Sequence, residues 1–193
     1  MDKKTLDFYN NNANRYFIET KSTFVVDSLE SFLSYIPYGG YILDCGCGSG
    51  RDSLYFLEHD YKVDSVEKSH NLAQKASLYI GQKVIEKDYL LLDEREKYDG
   101  IWAQASLLHN TKEDLALSLN VLTKALKKNG YFYASFRYGE DERREGERWY
   151  INMTEEKIKS YIPSSLVLIK TWLSNDVREN YNYRWINFIF QKV

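Results

Sequence analysis

Disulfide chemistry, membrane insertion and a one-signed electrostatic field all find little support in this sequence. Only two cysteines occur in 193 residues, Cys45 and Cys47. They stand two apart in a glycine-rich loop, which argues against a structural disulfide and for a reduced, cytoplasmic protein. One C-x-C with three scattered histidines is too little for a zinc site, so no metal is expected. The 26 basic and 28 acidic residues leave a formal net charge of −2, with no global basic field for nucleic acid or an anionic membrane. No apolar run reaches the length of a membrane span, and Met1 to Asp7 lack the apolar core of a signal peptide. Linkers, repeats and low-complexity tracts are missing too. Tyrosine runs the other way, with 17 copies. Half-buried packing and an aromatic-lined pocket both fit that number.

What is present is organised around Tyr41-Ile42-Leu43-Asp44-Cys45-Gly46-Cys47-Gly48-Ser49-Gly50-Arg51-Asp52. An apolar run reads as a buried strand, three glycines alternate after it, and a helical pattern starts near Arg51. Glycine leaves no Cβ between backbone and ligand, and a helix start offers unpaired N–H groups and a positive dipole end. The dinucleotide pattern G-x-G-x-x-G fails in both frames, because its third glycine would fall at Arg51 or Ser53. The phosphate-loop pattern fails as well, since no glycine is followed by lysine in that frame. D-x-G-x-G-x-G, from Asp44 to Gly50, is what remains.

Along the chain, residues 3–20 carry Leu6, Tyr9, Ala13, Tyr16 and Phe17 at helical spacing, weakened in the middle by Asn10-Asn11-Asn12. Residues 22–36 predict a second helix with Ser22 as N-cap, closed by Pro37 and Gly39-Gly40. Strands are then expected at 41–45, 62–66, 83–85, 98–103 and 131–136, with helices at 51–59, 71–79 and 113–127 between them. Asn129-Gly130 reads as the turn before the fifth strand. That alternation predicts an α/β, doubly wound, mostly parallel sheet whose ligands lie beyond the carboxyl ends of the strands. Residues 137–150 are densely charged and read as a solvated loop. A short helix is expected at 154–162, with a capping turn from Thr154 to Lys157. Segments 166–173 and 185–190 read as a terminal hairpin turning near Ser174-Asn175-Asp176, so one of them must run antiparallel.

Each strand end contributes residues. Glu67 follows the second strand, where a carboxylate can accept both ribose hydroxyls; Asp64 lies two residues earlier, inside the strand. Glu86-Lys87-Asp88-Tyr89 follows the third strand, and Trp102-Ala103-Gln104-Ala105-Ser106-Leu107-Leu108-His109 the fourth. In order and spacing, this set resembles the class I S-adenosylmethionine-dependent methyltransferases. Gly50-Arg51-Asp52-Ser53 looks most like the small-molecule, tellurite-resistance-type branch. The resemblance implies a Rossmann-like methyltransferase fold with a seven-stranded sheet over one domain, 1–193. Residues 1–40 would form a helical cap, 41–136 the cofactor core and 137–193 the acceptor side. It implies S-adenosylmethionine as cofactor and S-adenosylhomocysteine as product.

The resemblance also assigns residues. Gly46, Cys47, Gly48, Gly50, Arg51, Asp52 and Ser53 would wrap the cofactor. Asp44 would fix the loop and the ammonium end, unless it merely caps the loop. Glu67 would meet the ribose, with Lys68 beside it among the cofactor-binding residues. Asp88, with Glu86 as competitor, would take the adenine amine, with Tyr89 beside the base. Ala103 and Gln104 would stand near the sulfonium. Tyr16, in a segment similar to the family's Y-x-x-x-A-x-x-Y opening, would cover the cofactor together with Tyr9; a purely packed helix face is the alternative. His109 is a candidate general base or a structural hydrogen bonder. Arg137 and Tyr138 are the other catalytic candidates. With Arg148, Arg184 and Trp185 they either line an acceptor pocket or form a solvated charged face.

The acceptor is narrowed by exclusion. Amino-methylating DNA enzymes carry D/N-P-P-Y/F, and Pro37 and Pro163 are the only prolines here. Cytosine-carbon methylases need a Pro-Cys nucleophile, and no cysteine lies outside the loop. A small molecule is therefore the leading expectation, with a modified nucleotide or an RNA end also open, and neither DNA nor a membrane is expected. An NAD-dependent oxidoreductase and a non-catalytic cofactor-binding protein are the rival classes.

Overall fold

The computed structural model describes residues 1–178 and 181–193. A seven-stranded sheet forms from β1 (Tyr41–Cys45), β2 (Lys62–Glu67), β3 (Ile85–Glu86), β4 (Tyr98–Ala103), β5 (Leu126–Arg137), β8 (Leu166–Asn175) and β9 (Arg184–Lys192), in the order β3-β2-β1-β4-β5-β9-β8. The first five strands pair in parallel and β9 runs antiparallel between β5 and β8. The expected α/β, mostly parallel, Rossmann-like sheet with one antiparallel strand is thus observed.

Strand periodicity builds both faces. On one side Ile42, Val63, Trp102, Tyr133 and Ile189 pack under α3 (Val26–Leu33) and α4 (Arg51–Glu58). Trp102 and Tyr133, cross-strand partners, stack at 3.9 Å, with Phe32 of α3 at 5.3 Å from the indole. On the other side Leu43, Ile101, Phe132 and Phe188 meet Leu115, Leu119 and Leu122 of α6 (Lys112–Ala125). Burial on both faces suits a parallel sheet covered by helices on each side. α5 (His70–Ile80) packs on α4 and supports α1 (Lys3–Asn11) and α2 (Ala13–Thr20), which cross the carboxyl ends of the strands. Among the described residues no helix is long and apolar enough to cross a membrane.

Several local expectations are corrected. The helix over 3–20 is two helices, broken at Asn12, whose φ/ψ of −106°/14° and side-chain bond to the Phe8 carbonyl end α1. The next helix starts at Val26 rather than after Ser22, and its cap makes no side-chain hydrogen bond. The helix expected to 127 stops at Ala125, because Leu126 already pairs with Tyr98; Asn129, at φ +64°, lies inside β5. The charged run 137–150 is not a free loop. It holds most of the hairpin of β6 (Glu142–Glu145) and β7 (Arg148–Ile151), turned at Gly146 with φ +58°. Its charges pair locally, Arg143 with Asp141 and Glu145, while Tyr150 and Ile151 are buried. A short helix, α7 (Glu155–Ile158), follows under the expected Thr154 cap. β8 and β9 outrun the expected hairpin, so the 174–176 turn becomes a longer connection; residues 179–180 of it lie outside the described residues.

Candidate functional site

A cavity of about 380 Å³ opens beyond the carboxyl ends of β1, β4 and β5. A narrower lobe of about 40 Å³ runs towards the end of β2. The two share Tyr9, Tyr16, Gly46, Gly48, Ala105 and His109 as walls. The glycine loop is built for close approach. A Cβ on Gly48 would lie 3.3 Å from the Tyr16 ring, at a φ of +56° that side chains rarely adopt. Gly50 serves packing instead: a Cβ there would meet Ile80 of α5 at 2.8 Å, and it does not line the cavity.

Asp44, buried at the end of β1, accepts from Ser53 Oγ at 2.6 Å. Burial and the neighbouring Asp52 charge push its pKa upward. Ser53 lies behind the cavity wall and bridges Asp44 to Ser65. Arg51 forks onto Asp52 at 2.6 and 2.7 Å and donates to the Thr23 carbonyl, while Trp102 Nε1 donates to Asp52 at 2.9 Å. Cys47 lines the cavity and Cys45 lies beneath it. Both are free, and burial pushes both thiols well above their ordinary range, so neither is a ready nucleophile.

Glu67 faces the narrow lobe. Its carboxylate accepts from Gly48 N at 3.0 Å and Ser69 N at 2.7 Å. Burial raises its pKa and those backbone donors oppose the rise. Lys68 lines the same lobe and pairs with Asp88 at 2.6 Å. Asp88 itself caps the turn at Leu90 and is not a wall residue, whereas Tyr89 is, donating to Asn110 at 2.8 Å. Glu86 points elsewhere and binds His70 at 2.7 Å. Gln104 lines the large lobe, its amide oxygen held by Tyr133 Oη at 2.6 Å and Ser135 Oγ at 2.9 Å. Ala103 is fully buried in the core behind it.

His109 stands between two fixed partners. Its Nδ1 lies 2.7 Å from the Trp149 carbonyl, which can only accept, so Nδ1 carries the proton. Nε2 then accepts from Tyr9 Oη at 2.7 Å. Burial lowers the histidine pKa to about 4, so the ring is neutral near pH 7.

Two expectations about the acceptor side change. Tyr138 does not line the cavity: it is 45% exposed just past β5, held by backbone pairing and covered by Arg184 at 5.5 Å. Arg184 likewise lies outside the walls. Arg137 does line the large lobe, but it is already engaged. It pairs with Glu145 at 2.7 Å and lies between the Tyr150 and Tyr183 rings at 3.8 and 3.7 Å. Arg148 and Trp185 line the cavity, the first of the two readings left open for them. Tyr150, Asp176 and Arg178 were not legible as wall residues. Alternation within the charged run 142–151 was the one signal that could have shown β7 turning Tyr150 inward.

Residues 16–173 match the family described as Methyltransferase domain. An S-adenosyl-L-methionine-dependent Diels-Alderase, iccD, of Talaromyces variabilis is 35% identical over 107 residues, 50% of this chain and 36% of that one. The alpha N-terminal protein methyltransferase 1 of Caenorhabditis elegans is 28% identical over 142 residues, 68% of this chain and 61% of that one. The chain thus spans less than two thirds of either curated relative. The solved structure of Burkholderia thailandensis 1,6-didemethyltoxoflavin-N1-methyltransferase, with bound 1,6-didemethyltoxoflavin and S-adenosylhomocysteine, superposes with a TM-score of 0.80 over 98% of this chain and 88% of that one. At 18% identity that likeness concerns the fold. With its family match running over most of its length, the chain belongs to the methyltransferase-domain family.

Proposed function

We propose that the chain is a single-domain, S-adenosylmethionine-dependent methyltransferase acting on a small-molecule acceptor. The observation that carries this reading is the glycine cradle tied to Glu67 through the Gly48 N–H, both walls of the narrow lobe, which is continuous with a larger cavity under Tyr9 and Tyr16. The residues fit the cofactor. A Cβ on Gly48 would crowd the cradle, Glu67 offers two acceptor oxygens for a diol, and Asp44 offers a carboxylate to a cationic end. When bound, S-adenosylmethionine supplies an electrophilic methyl group on a sulfonium.

The chain's own part is positional. Gly46, Cys47, Gly48, Arg51 and Asp52 would enclose the amino-acid end, Glu67 and Lys68 the ribose, Tyr89 the base, and Gln104 the junction of the lobes. Holding acceptor and methyl in line can lower the barrier by several kcal/mol, within a ceiling of roughly 7–11 kcal/mol. Where the acceptor must lose a proton, Tyr9 Oη, its own proton held by His109 Nε2, would accept the acceptor's hydrogen bond while the proton leaves to solvent. His109 is then a positioning residue behind Tyr9. The two free, buried thiols support a reducing, cytoplasmic setting. The test is retention of labelled S-adenosylmethionine, then formation of S-adenosylhomocysteine against a metabolite panel. A Diels–Alder cycloaddition transfers no methyl group, so a reaction of the fungal relative's kind would consume substrate without S-adenosylhomocysteine appearing.

A further inference from the structure

Four arginines reach the walls of the large lobe: Arg51, Arg137, Arg148 and Arg178. Three are matched by a carboxylate, Arg51 by Asp52 at 2.6 Å, Arg137 by Glu145 at 2.7 Å and Arg178 by Asp176 at 2.7 Å. Arg148 pairs with no carboxylate among the described residues. Its guanidinium instead stands 4.6 Å from the Phe8 ring centre and 5.4 Å from that of Tyr150. It is half-buried, so water compensates its charge only in part. Arginine cannot shed its proton to relieve that cost. A partly desolvated cation without a counter-charge gains when an anion arrives to pair with it. The hairpin that carries Arg148 also brings Tyr150 into the wall, packed 4.9 Å from the ring of the neutral His109, which bonds Tyr9.

We infer that Arg148 seats the acceptor's anionic group, and that the acceptor is a planar aromatic or conjugated molecule bearing a single carboxylate. A guanidinium fork matches a carboxylate with two parallel hydrogen bonds. Tyr9 and Tyr150 line the same lobe and offer ring edges to a flat body, a Tyr150 face being covered by Arg137 at 3.8 Å. One unmatched arginine fits one negative charge better than a polyphosphate. The cavity, about 380 Å³ and shared with the cofactor, is on the scale of a small-molecule site. This inference rests on the proposed function, because the acceptor must share the cavity with the cofactor.

Calorimetry in saturating S-adenosylhomocysteine tests it with three acids, 4-hydroxybenzoate, indole-3-carboxylate and quinoline-4-carboxylate, each beside its carboxamide. The wild type should bind at least one acid about tenfold or more tighter than its amide, the scale of one charge-assisted hydrogen bond. Arg148→Met, which keeps the side-chain length, should abolish that preference while S-adenosylhomocysteine affinity stays unchanged and the chain stays folded. Arg148→Lys should keep part of the preference and serves as the readout if the Met variant unfolds. Acids that bind no tighter than amides, or not at all, overturn the inference. So does a preference that survives in Arg148→Met. Loss of S-adenosylhomocysteine binding in that variant would assign Arg148 to the cofactor and also overturn it. A wild type that fails to bind S-adenosylhomocysteine would instead contradict the proposed function.

Discussion

His109 converts burial into a pH dependence of stability. Its pKa falls from 6.5 to about 4 because the ring is buried, with Arg148, Arg137 and the N-terminal amine adding cationic repulsion. Between those values the unfolded chain binds a proton that the folded chain refuses. Stability from this group is therefore complete above about pH 6.5 and is lost as pH falls towards 4. The linkage relation gives about 2 kcal/mol lost between pH 7 and pH 5 from this one residue. His109→Gln removes the titration. It costs stability at pH 7 through its bonds to Tyr9 and Trp149, and it flattens the acid limb. Urea denaturation at pH 7 and pH 5 measures the difference. Carboxylates elsewhere contribute equally to both proteins and cancel. The wild type should lose about 2 kcal/mol more than the variant across that interval. Equal losses would mean that His109 protonates freely in the folded state and that its paired geometry is wrong.

Other expected outcomes follow from the same contacts. Glu67→Ala should weaken S-adenosylhomocysteine binding by roughly 1–3 kcal/mol in calorimetry. Asp64→Ala should leave that affinity intact while lowering Tm, because Asp64 accepts from Tyr41, Lys97 and Tyr98. Gly48→Val should abolish cofactor binding with the far-ultraviolet spectrum unchanged, since its side chain meets the Tyr16 ring. Arg137→Met should destabilise the fold by about 2 kcal/mol, through loss of its Glu145 pair and two ring contacts. An unchanged denaturation midpoint would return Arg137 to the role of a free substrate ligand. Because burial keeps Asp44 protonated to higher pH, affinity for the cationic cofactor should rise with pH; a flat profile would remove Asp44 from the ammonium end.

The strand–glycine–helix turn was legible because its determinants are local. Apolar run, Cβ-free loop and helix start occupy twelve consecutive residues, and Glu67 follows by the same strand-end logic. The acceptor side was not, because it depends on pairing between distant residues. Arg137 looked like a free cation until β6 brought Glu145 to it. Tyr138 looked like its partner, but one residue along an extended strand reverses the side-chain direction. His109 was found by position, whereas its neutrality comes from burial and its tautomer needed two partners 40 and 100 residues away in sequence, Trp149 and Tyr9. The break at Asn12 turned on an asparagine competing for helical backbone groups, a signal visible in the sequence that did not fix where the helix would part.

The central claim is that this cavity holds S-adenosylmethionine, and titration of the purified chain with S-adenosylhomocysteine and, separately, with NAD tests it most directly. Micromolar affinity for S-adenosylhomocysteine, about 8 kcal/mol, with no heat from NAD is the predicted result. No binding of S-adenosylhomocysteine, or equal binding of NAD, would contradict it.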